Sequence, residues 1–270
     1  MSPARRRNAL DGPAPARPRT TRAGGWPGRP DPAVRIALLS DIHANWHALE
    51  AVIADLPAVD EVCCLGDVVG YGGEPVRCLD HVRSRGWLTL AGNHDRACVD
   101  EDARTWFNED AAAAITWTAE ELGPDRLDWL RGLPERATRE GALLVHASPR
   151  DPVFEYVLDM YTAAYNLRLL EDTICFHGHT HLPGVFAVVD GTVVHDYRLA
   201  AVPIAGPALV NPGSVGQPRD RDPDASYGIW DTEEGTFEFR RVPYDREAAK
   251  LAIRQAGLPD RFAARLDFGY

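Results

Sequence analysis

The sequence predicts an α/β fold in which two sheets pack face to face with helices outside. Three observations carry this. Apolar strands alternate with amphipathic helices in the first half; short strands follow one another directly in the second; and several strands end abruptly on Asp, Asn or His. No internal repeat is present.

Taken in order, Val34 to Leu39 is a β-rich run that stops at the polar Ser40-Asp41. Asn45 caps a helix running to about Leu56, with Leu49, Val52 and Ile53 on one face and Pro57 as the stop. Glu61 to Leu65 is a second strand broken by Gly66-Asp67, Pro75 to Arg85 a helix ended by Gly86, and Trp87 to Ala91 a third strand before Gly92-Asn93. Strand–helix–strand–helix–strand order predicts parallel pairing, with active residues at the strands' C-terminal ends. A helical insertion is expected near residues 100–135, as Asn108 to Leu122 and Asp125 to Leu133 separated by Gly123-Pro124. Ala142 to Val145 returns to strand, Tyr161 to Leu170 to helix, and Thr173 to Phe176 to strand. Short strands then follow at Val185–Val189, Thr192–Tyr197, Ala208–Val210, Tyr227–Trp230 and Thr236–Val242, with Asp190-Gly191 and Glu234-Gly235 as tight hairpin turns. A helix around Arg246 to Gln255 closes the pattern.

The chain has 270 residues and a net charge of −11, unevenly spread. Residues 1–33 hold seven Arg against two Asp, so this Arg/Pro-rich segment is about +5 and the 34–270 body about −16. The tail cannot bury enough apolar surface to offset its ordering entropy and is expected to be disordered. So acidic a body opposes binding to long nucleic acid, which requires Lys and Arg against phosphates. No apolar run approaches the roughly 18 residues of a membrane span. Five cysteines without a C-x-x-C pair, three of them in apolar runs, indicate a reducing, cytoplasmic compartment rather than disulfides or thiolate zinc.

The polar strand ends read Asp41-Ile42-His43, Gly66-Asp67, Gly92-Asn93-His94-Asp95, His146 and Gly178-His179-Thr180-His181. Residues two apart in an extended segment point the same way, so Asp41 with His43, and His179 with His181, are expected to present paired ligands. The glycines at 66, 92 and 178 let the backbone turn beside a crowded site. Three oxygen donors (Asp41, Asp67, Asn93) and four imidazoles (His43, His146, His179, His181) exceed the needs of one tetrahedral metal and suit two divalent ions sharing a carboxylate. A donor set of N and O without thiolate fits Mn²⁺, Fe, Zn²⁺, Co²⁺ or Ni²⁺. Two such ions can bridge a water and clamp a phosphoryl group for in-line attack, which predicts phosphoester hydrolysis. Trp46, Tyr71, Arg96, Arg150, Tyr156 and Arg219 flank these segments and are candidate substrate contacts. Trp106, Trp117 and Trp129 are expected to pack the helical insertion.

These ordered motifs resemble the signature of the calcineurin-like metallophosphoesterase superfamily, from about residue 35 to 245. Gly66 to Gly72 and Asn211 to Arg219 further resemble its small bacterial phosphodiesterase branch. The resemblance implies a four-layer αββα sandwich of two mixed sheets flanked by helices. It also implies that Asp41, His43, Asp67 and His181 hold one ion and Asp67, Asn93, His146 and His179 the second, with Mn²⁺ the first choice. His94 would stabilise the transition state or protonate the leaving oxygen, with Asp95 orienting its ring. The implied activity is metal-dependent hydrolysis of small phosphodiesters or phosphomonoesters by a metal-bridging hydroxide. A dinucleoside polyphosphate hydrolase, a protein phosphatase or a non-catalytic metal-bound scaffold are the alternatives.

Overall fold

The computed structural model describes residues 34–196 and 201–270. The tail at 1–33, and the expectation of disorder made for it, lie outside the described residues.

Among the described residues the strands form two six-stranded mixed sheets. In the first, β1 (Arg35–Leu39), β2 (Glu61–Cys64) and β3 (Leu88–Thr89) pair in parallel, as expected. Helices α1 (Trp46–Asp55) and α2 (Pro75–Arg85) make the crossovers. The other side of β1 takes the antiparallel β11 (Ala225–Asp231), then β12 (Thr236–Val242) and β9 (Ala201–Pro203). The second sheet runs β4 (Arg136–Arg139), β5 (Ala142–Val145), β6 (Ile174–Phe176), β10 (Ala208–Asn211), β7 (Gly184–Val189), β8 (Thr192–Asp196). The result is the four-layer αββα sandwich.

Strand β1 shows why the layers form. Its period-two alternation sends Ile36 and Leu38 to the core between the sheets and Ala37 and Leu39 to the core beneath the helices. A strand apolar on both faces must be covered on both. Between the sheets, the Phe176 ring from one lies 4.9 Å from Trp230 and 5.5 Å from Phe237 of the other. Outside the second sheet, α6 (Met160–Leu167) packs Ala163 and Leu167 against Cys175 and Leu209. Outside the first, α1, α2 and the long α5 (Glu109–Arg131) share one core. All five cysteines are free and buried.

The expected break at Gly123-Pro124 is a kink inside α5, where Gly123 has φ 68°. Asn45 caps α1, its side chain accepting the Ala48 N–H at 3.2 Å. Asp190-Gly191 forms the tight turn between β7 and β8 with both φ values positive, at 49° and 74°. Glu234-Gly235 differs: Asp231 pairs with Thr236, leaving a four-residue loop whose Glu233 and Glu234 N–H groups donate to the Asp231 carboxylate. Trp106 also departs from expectation, being 81% exposed, because it lies on the short connection between α4 (Glu101–Arg104) and α5 rather than on a packed helix face. The sequence pattern does not announce β4, β9, α3 (Asn93–Val99), α8 (Asp260–Ala264) or the 3₁₀ turn that follows it (Arg265–Asp267). β9, α8 and the 3₁₀ turn are very short, and β4 (RATR) and α3 (NHDRACV) hold no large apolar residues at regular spacing. No described helix is long and apolar enough to cross a membrane.

Close packing between the sheets generates a test. A methyl group on Gly228 of β11 would enter the space held by the Phe237 ring. Gly228→Ala should destabilise the fold by about 1–3 kcal/mol through overpacking, lowering the urea midpoint with an unchanged denaturant slope; a midpoint equal to wild type would show that the ring can yield.

Candidate metal centre

The five polar strand ends meet at one edge of the two sheets. Asp41 and His43 follow β1, Asp67 follows β2, Asn93 and His94 open α3, His146 follows β5, and His179 and His181 follow β6. All are buried, none more than 5% exposed. The expected extended pairing of Asp41 with His43 and His179 with His181 does not occur. Asp41, His43, Asp67, His179 and His181 all have positive φ, between 49° and 66°. Left-handed backbone at a non-glycine residue costs about 1–3 kcal/mol and persists where surrounding structure dictates it. Here it is dictated by backbone hydrogen bonds between the loops: Asp41 N–H to Gly66 O at 3.0 Å, His43 N–H to Asp67 O at 2.9 Å, and Gly216 N–H to Asp41 O at 2.9 Å. Gly66, at φ 108°, makes the sharp turn expected of it; Gly92, at φ −86°, instead leaves room for the Asp67 carboxylate, which a Cβ there would strike.

The ring nitrogens can be assigned from their outer partners. A carbonyl oxygen only accepts, so the nitrogen facing it carries the proton. His43 Nδ1–H donates to Val69 O at 3.2 Å and His181 Nδ1–H to Gln217 O at 2.6 Å. Each therefore turns a bare Nε2 inward, and these two nitrogens stand 3.1 Å apart, with His181 Nε2 3.3 Å from Asp41 Oδ1. In the second half, His146 Nδ1–H donates to Leu65 O at 3.0 Å and His179 Nε2–H to Phe154 O at 3.1 Å. His146 Nε2 then faces His179 Nδ1 at 3.2 Å, Asn93 Oδ1 at 3.1 Å and Asp67 Oδ2 at 3.4 Å. Asp67 Oδ2 is also 3.6 Å from His43 Nε2 and so lies between the halves. Two groups of acceptors thus converge with their protons facing outward. Buried acceptors left without a donor cost about 1–3 kcal/mol each; a cation at each focus removes that cost.

Electrostatics distinguish the halves. Burial holds His43 well below its ordinary value, and burial with the Arg219 charge lowers His181, so both stay neutral. Burial and the neighbouring His146 push His179 down to about 3. His146 is opposite: burial opposes its charge, but Asp67 beside it overcomes burial and raises it to about 9. Against burial, His181 holds Asp41 and His146 holds Asp67 well below the carboxylate range. A proton on His146 therefore stands in for a cation in one half, whereas no proton relieves the other.

Geometry corrects the expectation for Asp95. Its carboxylate does not orient the His94 ring. It accepts the backbone N–H groups of Val68, Val69 and Gly92 at 3.3, 3.2 and 3.1 Å, tying the loop after β2 to the start of α3. Burial and the charge of Asp67 push it up to about 7. The His94 Nδ1 has no hydrogen-bond partner among the described residues. Its ring is held by edge and tilted contacts with His43, Tyr71 and Phe107 at 4.8, 4.3 and 4.8 Å. A ring nitrogen of His94 lies within 4.8 Å of donor atoms of both His43 and Asp67.

Of the six flanking candidates, Tyr71, Tyr156 and Arg219 line a cavity of about 790 Å³ beside these residues. Tyr156 stacks on His179 at 3.8 Å. Trp46 is buried against His81, Arg96 pairs with Glu135, and Arg150 with Glu155, so these three serve the fold. Arg261, Phe262 and Arg265 line the same cavity and carry no motif; only folding of the C-terminal segment brings them there. His177, next to the Gly-His-x-His run, is buried, and burial holds it at about 4.

Residues 34–235 match the Calcineurin-like phosphoesterase superfamily domain. The chain belongs to this superfamily. An uncharacterized protein of Methanocaldococcus jannaschii is 34% identical over 242 residues, covering 87% of this chain and 98% of that protein. The crystal structure of a metallophosphoesterase from Sphaerobacter thermophilus superposes with a TM-score of 0.79 at 36% identity, covering 88% of this chain and 100% of that one. A hypothetical protein of Pyrococcus horikoshii shares the fold at 20% identity, with a TM-score of 0.72 over 88% of this chain and 99% of its own. The superfamily is metal-dependent, and the His/Asp clusters of this chain are groups that could hold a metal ion.

Metal binding requires deprotonated ligands, and His146, raised to about 9, must lose its proton to serve as one. Adding Mn²⁺ to metal-free protein at pH 8 should release about one proton per chain, with progressively fewer as pH rises through 9. Calorimetry in two buffers of different ionisation enthalpy reads this; release that is absent at pH 8 would mean His146 is neutral beforehand or does not bind.

Proposed function

We propose that the protein is a dinuclear, metal-dependent hydrolase of small phosphodiesters or phosphomonoesters. The observation that carries this reading is the pair of facing clusters around a central Asp67: the proton-free nitrogens of His43 and His181 approach to 3.1 Å in one, and His146 and His179 to 3.2 Å in the other, where a proton on His146 takes the place of a cation. Asp41, His43, Asp67 and His181 would hold one ion, and Asp67, Asn93, His146 and His179 the other. Mn²⁺ is the first candidate, with Fe, Zn²⁺, Co²⁺ and Ni²⁺ compatible with the same donors. When bound, the ions supply Lewis-acid polarisation of the phosphoryl oxygens and acidify a water.

The chain's own groups complete the chemistry. Burial, against the attraction of Asp67, lowers His94 to about 4, so its ring is neutral at neutral pH. It offers an N–H to a phosphoryl oxygen and gains basicity once an anionic ester lies beside it, which equips it to hand a proton to the leaving oxygen. Asp95 positions His94 through the backbone by fixing the first turn of α3. Gln217, through its carbonyl, holds the His181 ring so that Nε2 faces inward. A non-catalytic scaffold has no need of an uncommitted His94 beside the donors.

Bis-p-nitrophenyl phosphate and p-nitrophenyl phosphate with Mn²⁺ are the test substrates. Release from the diester should disappear with EDTA and fall at least about a hundredfold in Asp67→Asn. Turnover that survives chelation would contradict the reading, and release from the monoester alone would assign a phosphatase. His94→Gln should retain its metal while kcat falls by about 10²–10⁴; an unchanged kcat would remove His94 from the chemistry.

A further inference from the structure

The cavity beside the metal centre is lined by three arginines, Arg219, Arg261 and Arg265, against two carboxylates, Glu109 and Asp110. Arg219 and Arg265, both half-buried, donate to one and the same acceptor, Gln217 Oε1, at 2.9 and 2.8 Å. Their guanidinium carbons each lie 5.9 Å from the centroid of the Tyr71 ring. Neither has a carboxylate partner among the described residues, and the Arg219 Nε is buried without any partner. The neighbouring Arg261 differs, being paired with Asp110 and bonded to Asn108. Other half-buried arginines have carboxylate or backbone partners of their own, as Arg241 has Asp220, Arg246 has Asp224 and Arg104 has the Ala97 and Cys98 carbonyls.

Two like charges gathered on a single neutral oxygen repel one another, and a purely structural role would be better served by a glutamate at position 217. The pair is set for an anion arriving from outside. Tyr71 fixes where that anion sits relative to the reaction. Its ring centroid lies 4.9 Å from that of His43, 4.3 Å from that of His94 and 5.9 Å from both guanidinium carbons. The cavity, about 790 Å³ and walled by Tyr71, Tyr156 and Phe262, is of the size that holds a nucleotide.

We propose that Arg219 and Arg265 form a second anion subsite that binds a non-reacting phosphate of the substrate, so that the enzyme favours oligophosphate substrates of nucleotide size over those with a lone phosphate. This rests on the phosphoesterase reading above. Arg219, whose backbone N–H donates to His181 O at 3.3 Å, is anchored to the metal site, while Arg265 comes from the C-terminal segment. Specificity would therefore be set by the last few residues described, remote in sequence from every metal ligand.

The test uses the full chain loaded with Mn²⁺, with bis-p-nitrophenyl phosphate as reporter and free Mn²⁺ held constant. Adenosine triphosphate should inhibit at least about tenfold more tightly than adenosine monophosphate. Arg265→Gln should reduce that advantage to within about twofold, and Arg265→Lys should restore part of it. Gln217→Glu, which keeps both arginines but places a carboxylate between them and halves their joint charge, should reduce it as well. Circular dichroism and metal content matching wild type exclude misfolding as the cause. Equal inhibition by the two nucleotides in wild type, or an advantage that survives both Arg265→Gln and Gln217→Glu, would overturn the subsite while hydrolysis of the reporter stands. Absence of reporter hydrolysis is the separate failure of the phosphoesterase reading, and in that event the same affinity ratios, read by calorimetry, decide the subsite.

Discussion

Two imidazole nitrogens without a proton between them, held 3.1 Å apart in a buried site, are the constraint on which this structure turns. The outer nitrogens of His43 and His181 are committed to carbonyl oxygens, so the inner ones have only lone pairs to present. Neutral rings cannot relieve that approach, and burial keeps both rings neutral. Across Asp67, the second half has a different answer, a proton on His146 that a cation would displace. The site is assembled against its own electrostatics, and the proposed pair of divalent ions would resolve both halves at once.

The rest of the fold reads as the means of holding that arrangement. Parallel strands β1, β2 and β3 deliver Asp41, His43, Asp67 and Asn93 to one edge, and β5 and β6 of the facing sheet deliver His146, His179 and His181 to the same edge. Five of these seven residues sit in left-handed backbone, strain that loop-to-loop hydrogen bonds offset. Asp95, with three backbone N–H groups on its carboxylate, ties the β2 loop to α3 and thereby sets Asn93 and His94. Packing between the sheets, centred on Phe176, Trp230 and Phe237, keeps the two groups of donors in register.

The donors were legible in the sequence because each sits where an apolar run ends, and strand ends converge in an α/β sandwich. The alternation in β1, the cap at Asn45 and the break at Gly123-Pro124 were legible for the same reason: they are local signals with local causes. What escaped was non-local. That Asp95 would spend its carboxylate on backbone N–H groups depends on the approach of Val68, Val69 and Gly92, which no spacing encodes. The positive φ values follow from hydrogen bonds between loops far apart in sequence. Arg265 and Phe262 lie on elements too short to show a period, and they reach the cavity only because Leu266 and Ala263 pack against Ile253 and Ala249 of α7 (Arg246–Gln255). Trp106 shows the converse, an aromatic residue in a helical region that the chain leaves exposed.

The most direct test of two cations resolving one buried cluster of acceptors is anomalous diffraction at the manganese edge from crystals grown with Mn²⁺. Two peaks about 3.5–4 Å apart, one among Asp41, His43 and His181 and the other among Asn93, His146 and His179, with Asp67 between them, are the predicted result. A single peak, or a pair centred away from Asp67, would contradict it.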